Sequence, residues 1–134
     1  MNDINPTAKI DLRIKIAALW TSTLFIFAYV DIFAFFRADV INDVLAGKVD
    51  VFAVSQAFLL LTTIYIIIPC LMISLSLILP AKTNRWANMI VGAVYAFTIM
   101  GSCIGETWIY YWVGSIIEVL LLITIVRYAW KMRA

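Results

Sequence analysis

The stretch "LFIFAYVDIFAFF", residues 24–36, decides the fold class of this chain. Twelve of its thirteen residues are apolar or aromatic, and the thirteenth is Asp31. The apolar run begins earlier, at Ile16, and is then long enough for a helix that crosses a bilayer, which needs about 20 residues. The stretch therefore predicts a membrane span that carries a carboxylate, and this carboxylate is the first candidate for a functional group.

The composition of the whole chain agrees with this interpretation. Of the 134 residues, 65% are hydrophobic and 13% are charged, whereas soluble domains are roughly 45–50% apolar and about 25% charged. A soluble domain this small could not bury so much apolar surface, so we predict an integral membrane protein in contact with membrane lipid. The basic residues form no tract, and we expect no nucleic acid as a partner.

Four apolar stretches are long enough to cross a bilayer. They comprise residues 16–36, 51–79, 86–104 and 108–130. They predict an all-α fold in which a single four-helix transmembrane bundle accounts for the chain from residue 1 to residue 134. The second stretch is longer than a bilayer requires, so it should tilt or project from the membrane, and Pro69 should kink it.

Lysine and arginine predict the orientation of these spans, because cytoplasmic loops are enriched in them. Arg37 and Lys48 lie on one side of the predicted spans. Eight basic residues lie on the other side, namely Lys9, Arg13, Lys15, Lys82, Arg85, Arg127, Lys131 and Arg133. Both termini should therefore be cytoplasmic, and the imbalance argues against insertion in two opposite orientations.

The loop "RADVINDVLAGKVD" after the first predicted span has an amphipathic pattern. Val40 and Val44 share one helical face, while Asp39 and Asp43 share the other. We predict a short interfacial helix over residues 39–46. The alternative is a solvated loop with a single helical turn.

Polar side chains within the spans align on helical faces. A polar group without a partner in hydrocarbon costs several kcal/mol, so these side chains should face other helices. Asp31 lies about 9 Å below the outer interface and Glu118 about 15 Å deep, since a helix rises 1.5 Å per residue. The predicted interior set is Asp31, Gln56, Tyr95, Thr98, Ser102, Tyr111 and Glu118. Within it, the candidate ligand-binding residues are Asp31, Gln56, Tyr95, Tyr111 and Glu118.

The two deep acids, Asp31 and Glu118, have no lysine or arginine at their own level. Burial without a cation favours the protonated acid, which can donate a hydrogen bond to Gln56 or to a ligand and can carry a proton. Arg37 is expected to extend outward rather than down to Asp31. The alternative is that these acids only hold helices together. Glu106 is expected to be satisfied by solvent or by a helix N-terminus.

Small residues and cysteines give further expectations. Gly92 and Gly114 should permit close helix approach, and the pair Gly101 and Gly105 has the G-x-x-x-G spacing of a helix contact. The two cysteines should lie at opposite ends of their spans, so no disulfide is expected. The chain has no histidine and no C-x-x-C motif, and we expect no haem, metal or other cofactor.

The first-span motif "YVDIF" and the closing "RYAWKMRA", together with four short spans, resemble the small uncharacterised four-helix membrane proteins of bacteria that are broadly DoxX-like. The resemblance implies a multi-pass protein of the bacterial inner membrane. DoxX-like proteins are associated with quinone-linked or thiol-linked redox complexes. This chain has no motif for such chemistry, so the resemblance implies the bundle and no catalytic residue.

Three classes of function follow from these observations. The first is binding or transport of a small lipophilic or weakly polar molecule in a cavity of the bundle, linked to protons through the acids. The second is a membrane enzyme with Asp31 and Glu118 as general acid and base. The third is an accessory subunit or homo-oligomer whose polar residues only lock helices. Small multidrug transporters also carry a carboxylate in the first of four spans, but the charge imbalance argues against their antiparallel dimers.

Overall fold

The computed structural model describes residues 9–133, and helices dominate this part of the chain. The elements, in chain order, are α1 (Leu12–Ala34), α2 (Ala38–Leu45), β1 (Lys48–Val49), β2 (Phe52–Ala53), α3 (Gln56–Ile78), α4 (Ala81–Ser102) and α5 (Ile109–Lys131). The fold is therefore all-α apart from one small hairpin. Three of the helices, α1, α3 and α5, are long and apolar enough to cross a membrane.

Helix α4 has nearly the length of the three apolar helices but a different composition. Its first two turns carry Lys82, Asn84, Arg85 and Asn88. Asn84 and Asn88 are fully buried against the other helices. The polar residues that lower the hydropathy of α4 are therefore partly covered by neighbouring helices.

The segment before α3 differs from the sequence prediction. Residues 51–79 were expected to form one helix, but Lys48 pairs with Ala53 and Val49 with Phe52 in an antiparallel hairpin. Asp50, with φ 52°, occupies the left-handed region in the hairpin turn. Helix α3 begins only where the Ser55 hydroxyl accepts a hydrogen bond from the Phe58 amide at 3.1 Å. The helix has 23 residues, so its length requires no unusual tilt.

The other predicted helix in this region is confirmed. Helix α2 covers Ala38–Leu45, one residue earlier at each end than expected. Its N-cap, Arg37, directly follows the turn that ends α1. The loop therefore leaves α1 as a short helix and reaches α3 through the hairpin.

The four long helices share one apolar core. Its largest fully buried apolar side chains are Trp20, Ile16, Leu122 and Ile125. Helix α5 packs against both α4 and α1, and α1 also packs against α3, whereas α3 and α4 contact each other less. Most of the first half of α3 is exposed, and its buried residues are Pro69, Met72 and Ser76 in the second half. Helix α3 thus packs tightly at one end only.

Two glycines mark the closest helix approaches, as predicted. A Cβ at Gly92 would lie 2.9 Å from a methyl of Val126, and a Cβ at Gly114 would lie 2.5 Å from a methyl of Val30. The predicted contact through Gly101 and Gly105 is wrong, because a Cβ at either position would meet nothing within 4 Å. Helix α4 ends at Ser102, so Gly105 lies in the following turn with φ +81°.

Candidate functional site

Asp31 and Glu118 flank a close contact between α1 and α5. Gly114 lies one helical turn before Glu118, and its missing side chain allows Val30, next to Asp31, to approach α5. Glu118 is buried, with 4% of its surface exposed, whereas Asp31 is exposed. The pair therefore extends from the surface of α1 into the core.

Neither acid has a partner of opposite charge. Within residues 9–133 the ion pairs join Arg37 to Asp39 and to Glu106, and Lys48 to Asp43. No hydrogen bond joins the carboxyl group of either acid to another group within the residues that the structure describes. An acid buried without either kind of partner is unusual in hydrocarbon and marks a candidate site for a ligand or a proton.

Aromatic rings form one wall of this site. The rings of Tyr65 on α3 and Tyr95 on α4 are stacked with centroids 4.6 Å apart. Phe27, one turn before Asp31, lies 6.1 Å from the Tyr65 ring. Through Phe27, the Tyr65 ring lies beside the face of α1 that carries Asp31. Tyr65 is therefore a candidate site residue, and it was not among the predicted ones.

A signal for Tyr65 existed in the sequence. Tyr65 follows Thr62 at a spacing of three residues, so it continues the polar face that begins with Ser55 and Leu59. In "IYIII", residues 64–68, it is the one side chain with a polar group. Extending that face by one turn would have placed Tyr65 among the candidates.

Tyr111 on α5 belongs to the same site. Its hydroxyl donates to the Ser102 hydroxyl on α4 at 2.9 Å, and it lies two helical turns before Glu118 on α5. Ser102 in turn donates to the carbonyl of Ile99 at 2.7 Å. The bond from Tyr111 joins the C-terminal end of α4 to the N-terminal part of α5.

The structure does not place Gln56 in this site. Gln56 is the first residue of α3 and is exposed. It makes no hydrogen bond with Asp31 in the part of the chain that the structure describes. Its depth was counted from a helix that starts at Val51, but the hairpin occupies that segment, so Gln56 lies at a helix end. The predicted Asp31–Gln56 pair is therefore wrong.

A family model gives this chain its place among known proteins. The model carries the description "Family of unknown function (DUF6326)" and matches residues 10–134. The chain belongs to this family. No DoxX-like family model matches, so the resemblance to that group is not supported. No curated protein and no solved structure matches the chain.

A second polar cluster lies at the opposite end of the same helices. The Trp20 indole donates to the Asn88 side-chain oxygen at 2.7 Å, and the Ser76 hydroxyl lies 3.1 Å from the same oxygen. The Asn84 amide donates to the Ser76 carbonyl at 2.7 Å, and Asn88 donates to the Asn84 side chain at 2.6 Å. All four side chains are fully buried. The cluster has no unpaired group and joins α1, α3 and α4, so its role is structural.

A third polar group lies beyond the C-terminal end of α1 and the N-terminal end of α5. Arg37 donates to Asp39 at 2.7 Å and to Glu106 at 3.0 Å, and its guanidinium lies 4.6 Å from the centre of the Trp108 ring. The hydrogen bond with Asp39 is the main reason that the pKa of Arg37 is raised. Arg37 therefore points away from Asp31, as predicted.

Glu106 combines this ion pair with the cap of a helix. One carboxyl oxygen accepts from the amides of Thr107 at 2.9 Å and Trp108 at 3.0 Å, where α5 begins. Burial opposes ionisation of Glu106, but these amides and Arg37 outweigh it and hold its pKa below the usual value. The helix N-terminus was predicted as its partner, and Arg37 was not.

The space beneath the acid pair is small. A crevice of about 10 Å³, lined by residues that include Trp20, Thr23, Phe27, Tyr65, Tyr95 and Leu122, lies between the two polar clusters. This is space for about one water molecule. A larger ligand would therefore have to lie further out, beside the exposed first half of α3.

Proposed function

We propose that this protein is a four-span membrane protein with both termini in the cytoplasm, and that it binds or transports a small lipophilic or weakly polar molecule. The ligand would occupy a groove between the first half of α3 and the face of α1 and α5 that carries Asp31 and Glu118. One observation carries the proposal. Glu118 is buried with 4% exposure, and none of the ion pairs within residues 9–133 includes it.

The proposed four-span topology is supported by the burial of polar residues of α4 against the other helices. Its buried residues Asn84 and Asn88 bond to Trp20 and Ser76, so much of its polarity is hidden inside the protein. A helix with this composition is stable in lipid when its polar face is satisfied by other helices. With α4 as a span, the eight basic residues on one side place both termini in the cytoplasm.

The position of the groove is supported by the uneven packing of α3. Residues 59–64 of this helix are all exposed, while Pro69, Met72 and Ser76 are buried. Thr98 and Ser102, across from it on α4, are also exposed. A small molecule that enters from the membrane or the outer side would therefore meet a surface with both apolar and polar groups.

The acids supply the proposed link to protons. A protonated carboxyl donates a hydrogen bond, and an ionised carboxylate accepts one or attracts a cation. Two acids that interact strongly release their protons as a coupled pair. Ligand binding that favours one charge state would therefore change the number of bound protons.

The test is a native mass spectrum of the full chain released from a lipid environment, with identification of any small molecule that it carries. We expect a defined adduct that is lost in Asp31→Asn and in Glu118→Gln. The control is Asp43→Asn, which removes a carboxylate of a surface ion pair with Lys48. An adduct that survives in both variants, or spectra that contain bulk lipid alone, would contradict the proposal.

The buried cluster of Trp20, Ser76, Asn84 and Asn88 favours a second candidate, an accessory or oligomeric subunit whose polar residues only lock helices. In that case Asp31→Asn and Glu118→Gln should change the oligomer mass and lower the Tm, and no ligand should be found. Mass measurements of the two variants in the same experiment separate the candidates.

A further inference from the structure

The site around Glu118 contains acceptors but few free donors, and this asymmetry defines the chemistry of a ligand. Resting on the proposed function, we propose that the ligand is a small lipophilic cation, a protonated or quaternary amine, whose positive charge lies between Asp31 and Glu118. The two acids are not simply a polar patch on the surface, because Glu118 is more than nine-tenths buried and has no hydrogen-bond partner among residues 9–133.

Each tyrosine hydroxyl at this level is hydrogen-bonded to a group other than the acids. The hydroxyls of Tyr65 and Thr98 share a hydrogen bond in which either can donate. Tyr95 donates to the carbonyl of Tyr65. Tyr111 donates to Ser102. None of these hydroxyls bonds to the acids, so a ligand that brings its own positive charge or donors complements the site well.

The ionisable groups on the facing elements are all acidic. They are Asp31 on α1, Tyr65 and Cys70 on α3, Tyr95 and Cys103 on α4, and Tyr111 and Glu118 on α5. Ser115, one turn before Glu118, is buried and adds a neutral hydroxyl. The nearest cation along α1, Arg37, is held by Asp39 and Glu106. When ionised, these groups supply negative charge, and none of them supplies positive charge.

The aromatic wall suits the apolar part of such a ligand and its charge. The Tyr65 ring contacts the rings of both Phe27 and Tyr95. The electron-rich faces of tyrosine and phenylalanine attract organic ammonium groups, most strongly where water is excluded. Once the acid pair has released a proton, an anion would be repelled by the carboxylate, and a neutral molecule would leave that carboxylate without a partner of opposite charge. The geometry thus discriminates by charge.

Binding of a cation must also displace protons. A protonated acid pair repels no anion and attracts no cation, so a cation binds to the pair after it has released a proton. The affinity for a cation should therefore rise with pH, while the affinity for a neutral molecule of the same shape should not.

The experiment compares two probes of the same shape. Benzyltrimethylammonium and neopentylbenzene differ in one atom, a positively charged nitrogen against a neutral carbon. Labelled probes are dialysed against the full chain in nanodiscs, and retention by empty nanodiscs is subtracted. We expect the cation to bind at least tenfold more tightly than the neutral probe, with an affinity that rises from pH 6 to pH 8.

Variants of the two acids test whether the cation binds at the proposed site. Glu118→Gln and Asp31→Asn should each weaken cation binding at least tenfold, and Asp43→Asn should not change it. Asp31 is exposed, so its variant is expected to fold even if the buried Glu118→Gln does not. Equal binding of both probes that is lost in Glu118→Gln would contradict the preference for a cationic ligand but still support a binding site in the groove. If the wild type retains neither probe, both the cationic ligand and the binding site in the groove are contradicted.

Discussion

Gly114 is the residue whose size determines how closely α1 approaches the site. An added Cβ would lie 2.5 Å from a methyl of Val30, and valine has little rotamer freedom with which to move away. Overpacking costs about 1–3 kcal/mol, which exceeds the roughly 1 kcal/mol that alanine returns through its helix preference. We therefore expect Gly114→Ala to lower the Tm in a thermal unfolding scan.

Gly101 provides the matched control for Gly114. It also lies in a helix, but a Cβ there would meet nothing within 4 Å. Gly101→Ala should leave the Tm unchanged or raise it. The double variant Gly114→Ala with Val30→Ala should recover part of the loss, because the clashing methyl is removed. Equal effects of Gly101→Ala and Gly114→Ala would show that the close approach does not matter for stability.

Individual residues differed in how far the sequence predicted them. Asp31 and Glu118 were identified because a carboxylate in an apolar run is costly and needs a reason. Their convergence also required Gly114, whose role depends on which helix lies opposite. Gln56 was placed wrongly because its depth depends on where α3 begins. Side-chain type is visible in a sequence, whereas the register of a helix is set by its caps.

At the scale of elements, the start of α3 shows why an apolar stretch is not the same as a helix. Residues 51–54, "VFAV", are apolar and continue directly into the helical sequence. They form the end of a hairpin because Asp50 turns the chain in the left-handed region and Ser55 caps the helix. Both residues are short and polar, which is typical of turns and N-caps. A hydropathy profile does not recognise such turn and N-cap residues, so it does not place the start of α3.

The Arg37–Glu106 pair links two elements that the sequence treats separately, the end of α1 and the turn before α5. Glu106 has its pKa held below the usual value, so it stabilises the fold above the ordinary carboxyl range and loses this effect as the pH falls through its folded pKa. The Tm of the wild type should therefore fall more steeply than that of Glu106→Gln between about pH 5 and pH 3.

The size of this effect is limited by the position of the pair near the protein surface. The Glu106 side chain is 15% exposed. We therefore expect the free energy of unfolding of Glu106→Gln to be lower than that of the wild type by about 1–2 kcal/mol at neutral pH. Asp43→Asn, in an ion pair that is much more exposed, should change the Tm little. Parallel pH curves for the wild type and Glu106→Gln would contradict the role given to Glu106.

The whole molecule has two unequal halves. At one end Trp20, Ser76, Asn84 and Asn88 bond only to protein groups and fix three helices together. At the other end the first half of α3 is exposed, and none of the ion pairs within the described residues includes Asp31 or Glu118. A tightly bonded end and a more open end would let α3 shift relative to α1 and α5 without loss of the fold.

The number of spans determines which side of the membrane the C-terminal end occupies. With α1, α3, α4 and α5 as spans, both ends of the chain lie on one side. With α1, α3 and α5 alone, they lie on opposite sides. Single cysteines at exposed positions distinguish these arrangements, in a background of Cys70→Ala and Cys103→Ala. Suitable positions are Asn42 on α2, Thr83 on α4 and Arg133 after α5.

A membrane-impermeant maleimide applied to intact cells should label Asn42→Cys and leave Thr83→Cys and Arg133→Cys unlabelled until the cells are opened. Labelling of Asn42→Cys and Arg133→Cys from outside would mean that α4 does not cross. Labelling of Thr83→Cys and Arg133→Cys alone would mean that the protein is inverted. The first pattern is expected because α4 hides Asn84 and Asn88 among the other helices, and because the side with eight basic residues remains in the cytoplasm.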